Sequence, residues 1–545
     1  MTYAKINEKF EQFPKLDTLI FSFGILKLLI HLIALNAYGL HADELYYIEL
    51  SKDFAWGFLD ISPFVTWIGK LSSILFGSSI MSWRIFPCLF SALTVMLTGY
   101  IAKYLGGGKL AVIIACSAII CSPSFLATSY LLQPVVFDEF FWTLLAFAVI
   151  AFQKTKKESF LYLASAAFAF GMLNKYTILI YVVSLGFASL LLNPTSFFPA
   201  FKKFLKPGLL FLLIVAPNII WQWLHGFPIF HYSTIVGKGS FSFEPGDYLF
   251  QLFFFHGASV AVWSAGFVFL LFYQKKRDPL LIWPISFLVV IVVLAVLKGK
   301  LYYGLGIFPL FFAAGGYCWA ILIGKFKLNR QIAFVATLYL FALFSLPVVI
   351  PVLSIAKCKR YLSDVVSLTG FSRPLVWEDG TQGSIPQFFA DMCGWEMLAK
   401  KVNLAADIKH AENTIVLTDN YAIAGGLKYY GGSKMPKVIS VNNSFLLNSP
   451  EKLKSESIIY LSKEQPNQVI NLAKHVQLME ILKIENSHLN GIKIYKLSGL
   501  TDVIKRKYIQ DRYSFYPNLE NVNQQEIYNK STKPNGNSLL WKIFN

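Results

Sequence analysis

Apolar runs of membrane-spanning length recur along the first two-thirds of the chain, and they decide what it can fold into. In hydrocarbon every backbone N–H and C=O must be satisfied inside the protein, so such runs fold as a helical bundle. A spanning helix needs about 20 apolar residues. About eleven stretches answer to that rule: 17–38, 81–103, 109–127, 131–152, 159–173, 176–193, 207–224, 250–273, 279–297, 301–323 and 329–353. The fifth and sixth are short and flank Asn174-Lys175-Tyr176, which fits two tilted spans or a re-entrant pair. Composition agrees. The chain is 55% hydrophobic and 15% charged, with a mean hydropathy of +0.52, whereas a soluble domain carries about 25% charged residues. The fold class is a polytopic α-helical membrane protein.

A net charge of +18 would suggest nucleic acid in a soluble protein. Here the basic residues sit mainly in loops, where they set topology and meet anionic headgroups, so no nucleic-acid partner is expected. Every second loop is basic: Lys5, Lys9 and Lys15; Lys103 and Lys109; Lys154, Lys156 and Lys157; Lys202, Lys203 and Lys206; Lys275, Lys276 and Arg277; Lys325, Lys327 and Arg330. Those loops read as cytoplasmic, which puts the N-terminus inside and everything after about residue 354 outside. The basic start followed by a long apolar run reads as a retained signal anchor. Lys175, Lys298 and Lys300 then break the positive-inside rule on the outer face. An anionic ligand there is one reason for such exceptions.

Three parts are expected: a membrane domain over 1–354, within it an amphipathic first external loop over 39–80, and a soluble α/β domain over 355–545. The loop carries Tyr46, Tyr47, Phe54, Trp56, Phe58, Phe64 and Trp67, which suit a helix at headgroup level. In the tail, 414–418, 437–441, 457–461 and 491–495 read as strands with helical stretches between them. From about 515 the chain is polar, with little apolar periodicity, and reads as loosely ordered. Six cysteines show no CxxC and no zinc-type spacing. Cys88, Cys116, Cys121 and Cys318 lie in apolar runs; Cys358 and Cys393 could pair if the tail faces an oxidising space.

The chemistry-bearing residues fall on the outer face. Asp43-Glu44 lie just past the first apolar run, at the mouth of a membrane protein, where an acid is costly unless used or paired. One of them could serve as a general base, or the pair could be held structurally by a basic neighbour. Asp60 suits either a site or a cap for the turn before Pro63. Asp138-Glu139 open the fourth span after a proline, where the helix dipole also favours a carboxylate. Lys175, Lys298, Lys300 and Arg84 could bind phosphate, although lysines at helix ends also snorkel to the headgroups. His41, His225, His231 and His256 share no tight ligand spacing, so a divalent metal is compatible with the sequence but not indicated, and no cofactor is called for. No phosphate-binding or dinucleotide glycine motif is present; Gly106-Gly107-Gly108 reads as a turn between spans.

The segments Asp43-Glu44-Leu45-Tyr46-Tyr47, Ala55-Trp56-Gly57, Asp60 to Pro63, Gln133 to Asp138, Leu173-Asn174-Lys175-Tyr176-Thr177, Pro217 to Gln222 with His225-Gly226-Phe227-Pro228, and Lys298 to Tyr303 occur in this order. In them the chain resembles bacterial glycosyltransferase family 39, the protein O-mannosyltransferase-like group related to the aminoarabinose transferases of lipid A. The resemblance covers about residues 17–320; in the tail it touches only segments such as Tyr429-Tyr430-Gly431-Gly432. It implies a GT-C fold, a polyprenyl-phosphate-linked sugar as donor, and single displacement with inversion. Asp43 maps to the base, Asp138 to a second acid, and Lys175, Lys298 and Lys300 to the donor phosphate site. Glu44 joins the catalytic acids, and Tyr46, Asp60, His225, Tyr302 and Tyr303 would position donor or acceptor. Two departures weigh against lipid A as the acceptor. Asp60-Ile61-Ser62-Pro63 stands where close relatives read Asp-His-Pro-Pro and the lipid A enzymes place Lys-Pro at positions 62 and 63; Tyr46 stands where they have Arg.

The expected activity is transfer of a sugar from a polyprenyl-phosphate donor to a glycan, lipid or protein acceptor on the periplasmic face of a bacterial inner membrane. The alternative is a flippase or transporter of lipids or lipid-linked sugars. It predicts polar residues near mid-span and matching halves with broken helices. The acids and exceptional lysines of this chain gather on one face instead.

Overall fold

In a computed structural model the protein is described over residues 13–194, 202–238, 244–272, 279–406 and 414–516. Lys5, Lys9, Lys202, Lys203 and the Lys275–Arg277 run divide accordingly: Lys202 and Lys203 are described, while Lys5, Lys9, 275–277 and the stretch from 517 onward lie outside the described residues.

Each of the eleven apolar stretches contains helix among the described residues, but fewer than eleven of those helices are long enough to span a membrane. Among the described residues, six helices are long and apolar enough to cross a membrane: Ile80–Tyr104, Pro134–Thr155, Leu205–Leu224, Pro279–Val296, Leu301–Ile323 and Leu328–Val349. A seventh span arises if Pro245–Phe254 and Gly257–Phe272, bent by 91° at their junction, count as one. Lys109–Cys121, Ser159–Asn174 and Ile178–Leu192 are shorter apolar helices, and Phe13–Leu32 carries Lys15, Asp17 and Lys27. The chain is a multi-pass membrane protein.

Packing divides the chain into two compact units. The first comprises Met1–Asn36, Phe76–Asn218 and Ser242–Val352. Its interior is aromatic: Trp142 stacks on Tyr181 at 4.6 Å, and both are fully buried. The short helices Ser159–Asn174 and Ile178–Leu192 meet at a non-helical break that carries Lys175.

The second unit comprises Ala37–Leu75, Ile219–Phe241 and Leu353–Asn545. Its five-stranded sheet has the order β2-β1-β3-β5-β4, with β1 Thr414–Thr418, β2 Lys437–Ile439, β3 Ser457–Ser462, β4 Ala473–Ile481 and β5 Lys493–Leu500. β2, β1 and β3 are parallel; β5 runs antiparallel to β3, and β4 to β5. The central strands are nearly continuous apolar runs because both their faces are covered. β4 was not among the expected strands. It is an edge strand, mostly exposed, with a bulge between Leu478 and Glu480, so it lacks the apolar alternation that marks a half-buried strand. Leu59 of the first loop belongs to the same buried core as Ile458, Tyr495 and Leu497. The loop itself folds as two helices, Ala42–Leu50 and Phe64–Phe76, with Phe54, Trp56 and Trp67 packed together in and after the turn. Cys358 and Cys393 are free thiols.

Candidate active site

In the second unit the helix Ala42–Leu50 begins with a reciprocal cap. His41 Nδ1 accepts from the Asp43 N–H at 3.1 Å, and the His41 N–H donates to Glu44 Oε2 at 2.9 Å. This satisfies two donors that a helix start otherwise leaves orphaned. Glu44 is fully buried in that role. Asp43, one residue earlier, keeps a side chain 33% exposed. Its Oδ1 accepts from the Tyr421 hydroxyl at 2.7 Å, and its Oδ2 lies 4.0 Å from His41 Nδ1. Tyr421 opens the helix Tyr421–Tyr430, capped by Asn420. This helix packs on Ala42–Leu50 with Gly425 against the Leu45 backbone. A Cβ at 425 would stand 3.0 Å from the Leu45 carbonyl, so glycine permits the approach that brings Tyr421 to Asp43.

Asp60 has a different environment. Its Oδ1 accepts from Tyr46 Oη at 2.7 Å and Ser444 Oγ at 2.5 Å. Ser444 N donates to Tyr46 Oη, and Leu59 N donates to Ser444 Oγ. Burial pushes the Asp60 carboxyl up to about 6, against the lowering effect of those hydrogen bonds. Tyr46 and Asp60, expected to position substrate, thus form a closed polar knot tying the loop to Ser444. His225 Nδ1 bonds the Trp221 carbonyl at 2.8 Å and its ring stacks on Trp221 at 4.0 Å. Nearby Gln222 donates to the Phe58 carbonyl at 3.1 Å.

The first unit holds the second acidic pair. Asp138 accepts from Trp142 Nε1 at 3.1 Å and Thr177 Oγ1 at 2.9 Å, and Lys175 lies within Coulomb range of it. The Lys175 ammonium sits 3.7 Å from the Tyr303 ring centroid and 5.4 Å from that of Tyr302. A cation on a ring face is attracted by the ring's quadrupole and carries further N–H groups that can meet an anion. Asn174 donates to the Pro134 carbonyl at 2.9 Å, and its Oδ1 has no hydrogen-bond partner among the described residues. Lys300 precedes the tyrosines at the start of the Leu301–Ile307 turn. Lys298 is exposed and has a φ of 52°, a left-handed conformation costing a non-glycine residue on the order of 1–3 kcal/mol.

Glu139 accepts from Thr128 Oγ1 at 2.7 Å, while its Oε2 has no partner among the described residues. Lys27 lies within its Coulomb range and donates to the Phe125 carbonyl at 2.8 Å. His31 bridges the Lys27 and Leu126 carbonyls. Arg84 is fully buried, donating to the Leu35 carbonyl at 3.0 Å over the Tyr130 ring.

The first unit therefore brings together Asp138, Lys175, Tyr302 and Tyr303, and the second brings together Asp43, Glu44, Tyr46 and Asp60. Sequence reasoning missed Tyr421, Ser444, Thr177, Trp142, Lys27 and His31. Three of these had signals: Trp142 lies one helical turn from Asp138, and Lys27 with His31 stand inside an apolar span. His231 bonds the Ser514 carbonyl, and His256 lies 3.0 Å from Ser122 Oγ. Among the described residues no group of three or more His, Cys, Asp or Glu is placed to hold a metal ion.

Residues 60–221 match the sequence profile of the dolichyl-phosphate-mannose-protein mannosyltransferase family. The structure of ArnT from Cupriavidus metallidurans bound to undecaprenyl phosphate superposes with a TM-score of 0.58 at 12% identity, covering 87% of this chain and 97% of that one. Its apo state gives 0.57, with the same identity and coverage. The fold is that of the PMT- and ArnT-like GT-C glycosyltransferases. No curated protein sequence matches the chain. The GT-C likeness accounts for a helical membrane portion accompanied by a small C-terminal sheet.

Proposed function

We propose that this GT-C protein is a glycosyltransferase that moves a sugar from a polyprenyl-phosphate donor to a glycan, lipid or protein acceptor, with Asp43 as general base. The observation that carries the reading is the contrast at Asp43. Glu44 and Asp60 are buried and used by the fold, whereas Asp43 is one-third exposed, with a tyrosine hydroxyl fixing one oxygen. Such a carboxylate can take the proton of an acceptor O–H or N–H. The acceptor atom then attacks the anomeric carbon from the face opposite the phosphate. The bond from that carbon to the phosphate oxygen breaks, and the lipid phosphate leaves with the electron pair. The family resemblance gives the donor phosphate to Lys175, on its aromatic platform, with Lys298 and Lys300; cations of this kind meet the charge that a leaving phosphate develops. Glu44 orients the helix that carries Asp43, and Asp138 fixes the Thr177 side of the Lys175 break. The fold shared with an ArnT bound to undecaprenyl phosphate supports a lipid-phosphate donor. The working compartment is the periplasmic face of a bacterial inner membrane, with the N-terminus cytoplasmic and residues 355–545 periplasmic.

The test uses purified full-length protein in detergent with a panel of radiolabelled polyprenyl-phosphate sugars. Release of polyprenyl phosphate, with transfer to an acceptor or slow hydrolysis, is the expected result. No turnover across the panel, together with lipid movement in proteoliposomes, would replace the transferase with a flippase.

A further inference from the structure

A cleft of about 340 Å³ opens in the second unit, lined by residues with no part in the proposed chemistry. Trp377, Asp379, Lys463, Asn486, His488 and Asn490 face it. Ligand pockets run about 300–1,000 Å³, so this one suits a small molecule of one or two rings. Its wall holds one indole, two carboxamides, one carboxylate and the hydroxyls of Thr381, Ser384 and Ser487, with no aliphatic side chain larger than that of threonine except the lysine stem.

The wall is built in advance. Trp377 Nε1 donates to the Ile385 carbonyl at 3.1 Å, and its backbone N–H donates to the Thr381 carbonyl at 2.9 Å. The edge of the indole lies on Gly383; a Cβ there would stand 2.3 Å from Nε1, so only glycine leaves the ring in place. Asp379 Oδ1 accepts both from Thr381 N at 2.9 Å and Thr381 Oγ1 at 2.6 Å. Those bonds hold its carboxyl below the usual carboxylate range, so it stays an ionised acceptor. Ser384 Oγ donates to Asn486 Oδ1, which engages the carboxamide oxygen and leaves its NH₂ group as a donor. Asn490 Oδ1 accepts from Ile484 N at 3.1 Å and is oriented in the same way. The His488 ring lies 6.0 Å from that of Trp377 and closes the wall beside the indole.

We infer that this cleft binds a neutral sugar residue, with the C–H face of its ring on Trp377 and its hydroxyls shared among Asp379, Asn486 and Asn490. A hydroxyl donates and accepts at once, which matches a wall of fixed acceptors beside fixed amide donors. Phosphate fits poorly: the lining offers a single lysine and no arginine, and Asp379 repels it. A free amino acid would match the Asp379 and Lys463 charges but leave the carboxamides unused.

The test is ligand-observed saturation-transfer NMR on the full-length protein in detergent. The panel holds neutral hexoses, pentoses, N-acetylhexosamines and their disaccharides, with inorganic phosphate and free amino acids beside them. At least one neutral sugar should bind saturably, with a Kd of about 1 mM. Trp377→Ala and Asp379→Asn should each weaken it by about tenfold or more. If Trp377→Ala fails to fold, Asp379→Asn, which preserves the turn's shape, decides alone. Absence of saturable sugar binding, preference for phosphate or an amino acid, or binding untouched by both substitutions would overturn the assignment.

Discussion

Two Asp-Glu dipeptides, each near the start of a helix, are handled in opposite ways. At Asp43-Glu44 the partners include a hydroxyl, an imidazole and a backbone N–H: Tyr421 and His41 beside Asp43, and the His41 N–H on Glu44. At Asp138-Glu139 each acid has a lysine within Coulomb range, Lys175 for the first and Lys27 for the second. The first pair lies in the unit that contains the sheet, the second among apolar spans. A carboxylate inside an apolar bundle calls for an opposite charge nearby. Within the first pair the labour divides further. Glu44 is consumed by the helix start, and Asp43 is left partly exposed. On the proposed reading proton transfer falls to Asp43, and the acids with a lysine nearby act in support.

Substitutions can break this division. The largest expected effect is at Asp43: Asp43→Asn should lower transfer by about 10²–10⁴-fold, the usual worth of a general base. Glu44→Gln, which keeps a cap acceptor, should leave most of the rate; an equal loss at both positions would erase the distinction. Next is Lys175→Ala, expected to cost roughly 10²–10³-fold in kcat by removing a cation from the leaving phosphate. Lys175→Arg should restore part of it, and full activity in Lys175→Ala would detach the aromatic platform from the chemistry.

Asp60 gives a pH signature. Its folded carboxyl, raised to about 6 by burial, holds its proton more tightly than the unfolded chain does. Stability is therefore full below the unfolded value of about 3.9 and is lost as pH rises through 6, by on the order of 3 kcal/mol. Asp60→Asn should flatten that part of the thermal-stability profile between pH 4 and 7, and a profile unchanged by the substitution would mean that Asp60 is not held protonated. The smallest effect is Glu44→Ala, with a loss of about 1 kcal/mol in unfolding free energy from the broken capping box. A loss below measurement would show the cap to be dispensable.

Helices were legible because length and apolarity mark them, and each predicted apolar stretch contains one; the number of spans was not, because several of those helices are too short to cross a membrane. Four of five strands were legible from their apolar runs, and β4 was not, because an exposed edge strand has little apolar signal. The acids and lysines of the site stood out because ionisable residues at membrane depth are rare. Their partners did not. Tyr421 lies 378 residues from Asp43, and Ser444 lies 384 from Asp60. A tyrosine or serine in the sheet-containing unit carries no mark of such a contact. Asp60 itself was ambiguous between site and turn, and only the Tyr46–Ser444 knot reveals its bonds.

The most direct measurement is the rate of sugar transfer from a lipid-phosphate donor by Asp43→Asn and wild type, at saturating donor, with thermal stability recorded for both. The account predicts a collapsed kcat, an essentially unchanged KM for the donor and an unchanged Tm. A folded Asp43→Asn protein that turns over within about threefold of wild type would contradict it, since a general base is worth at least about 10².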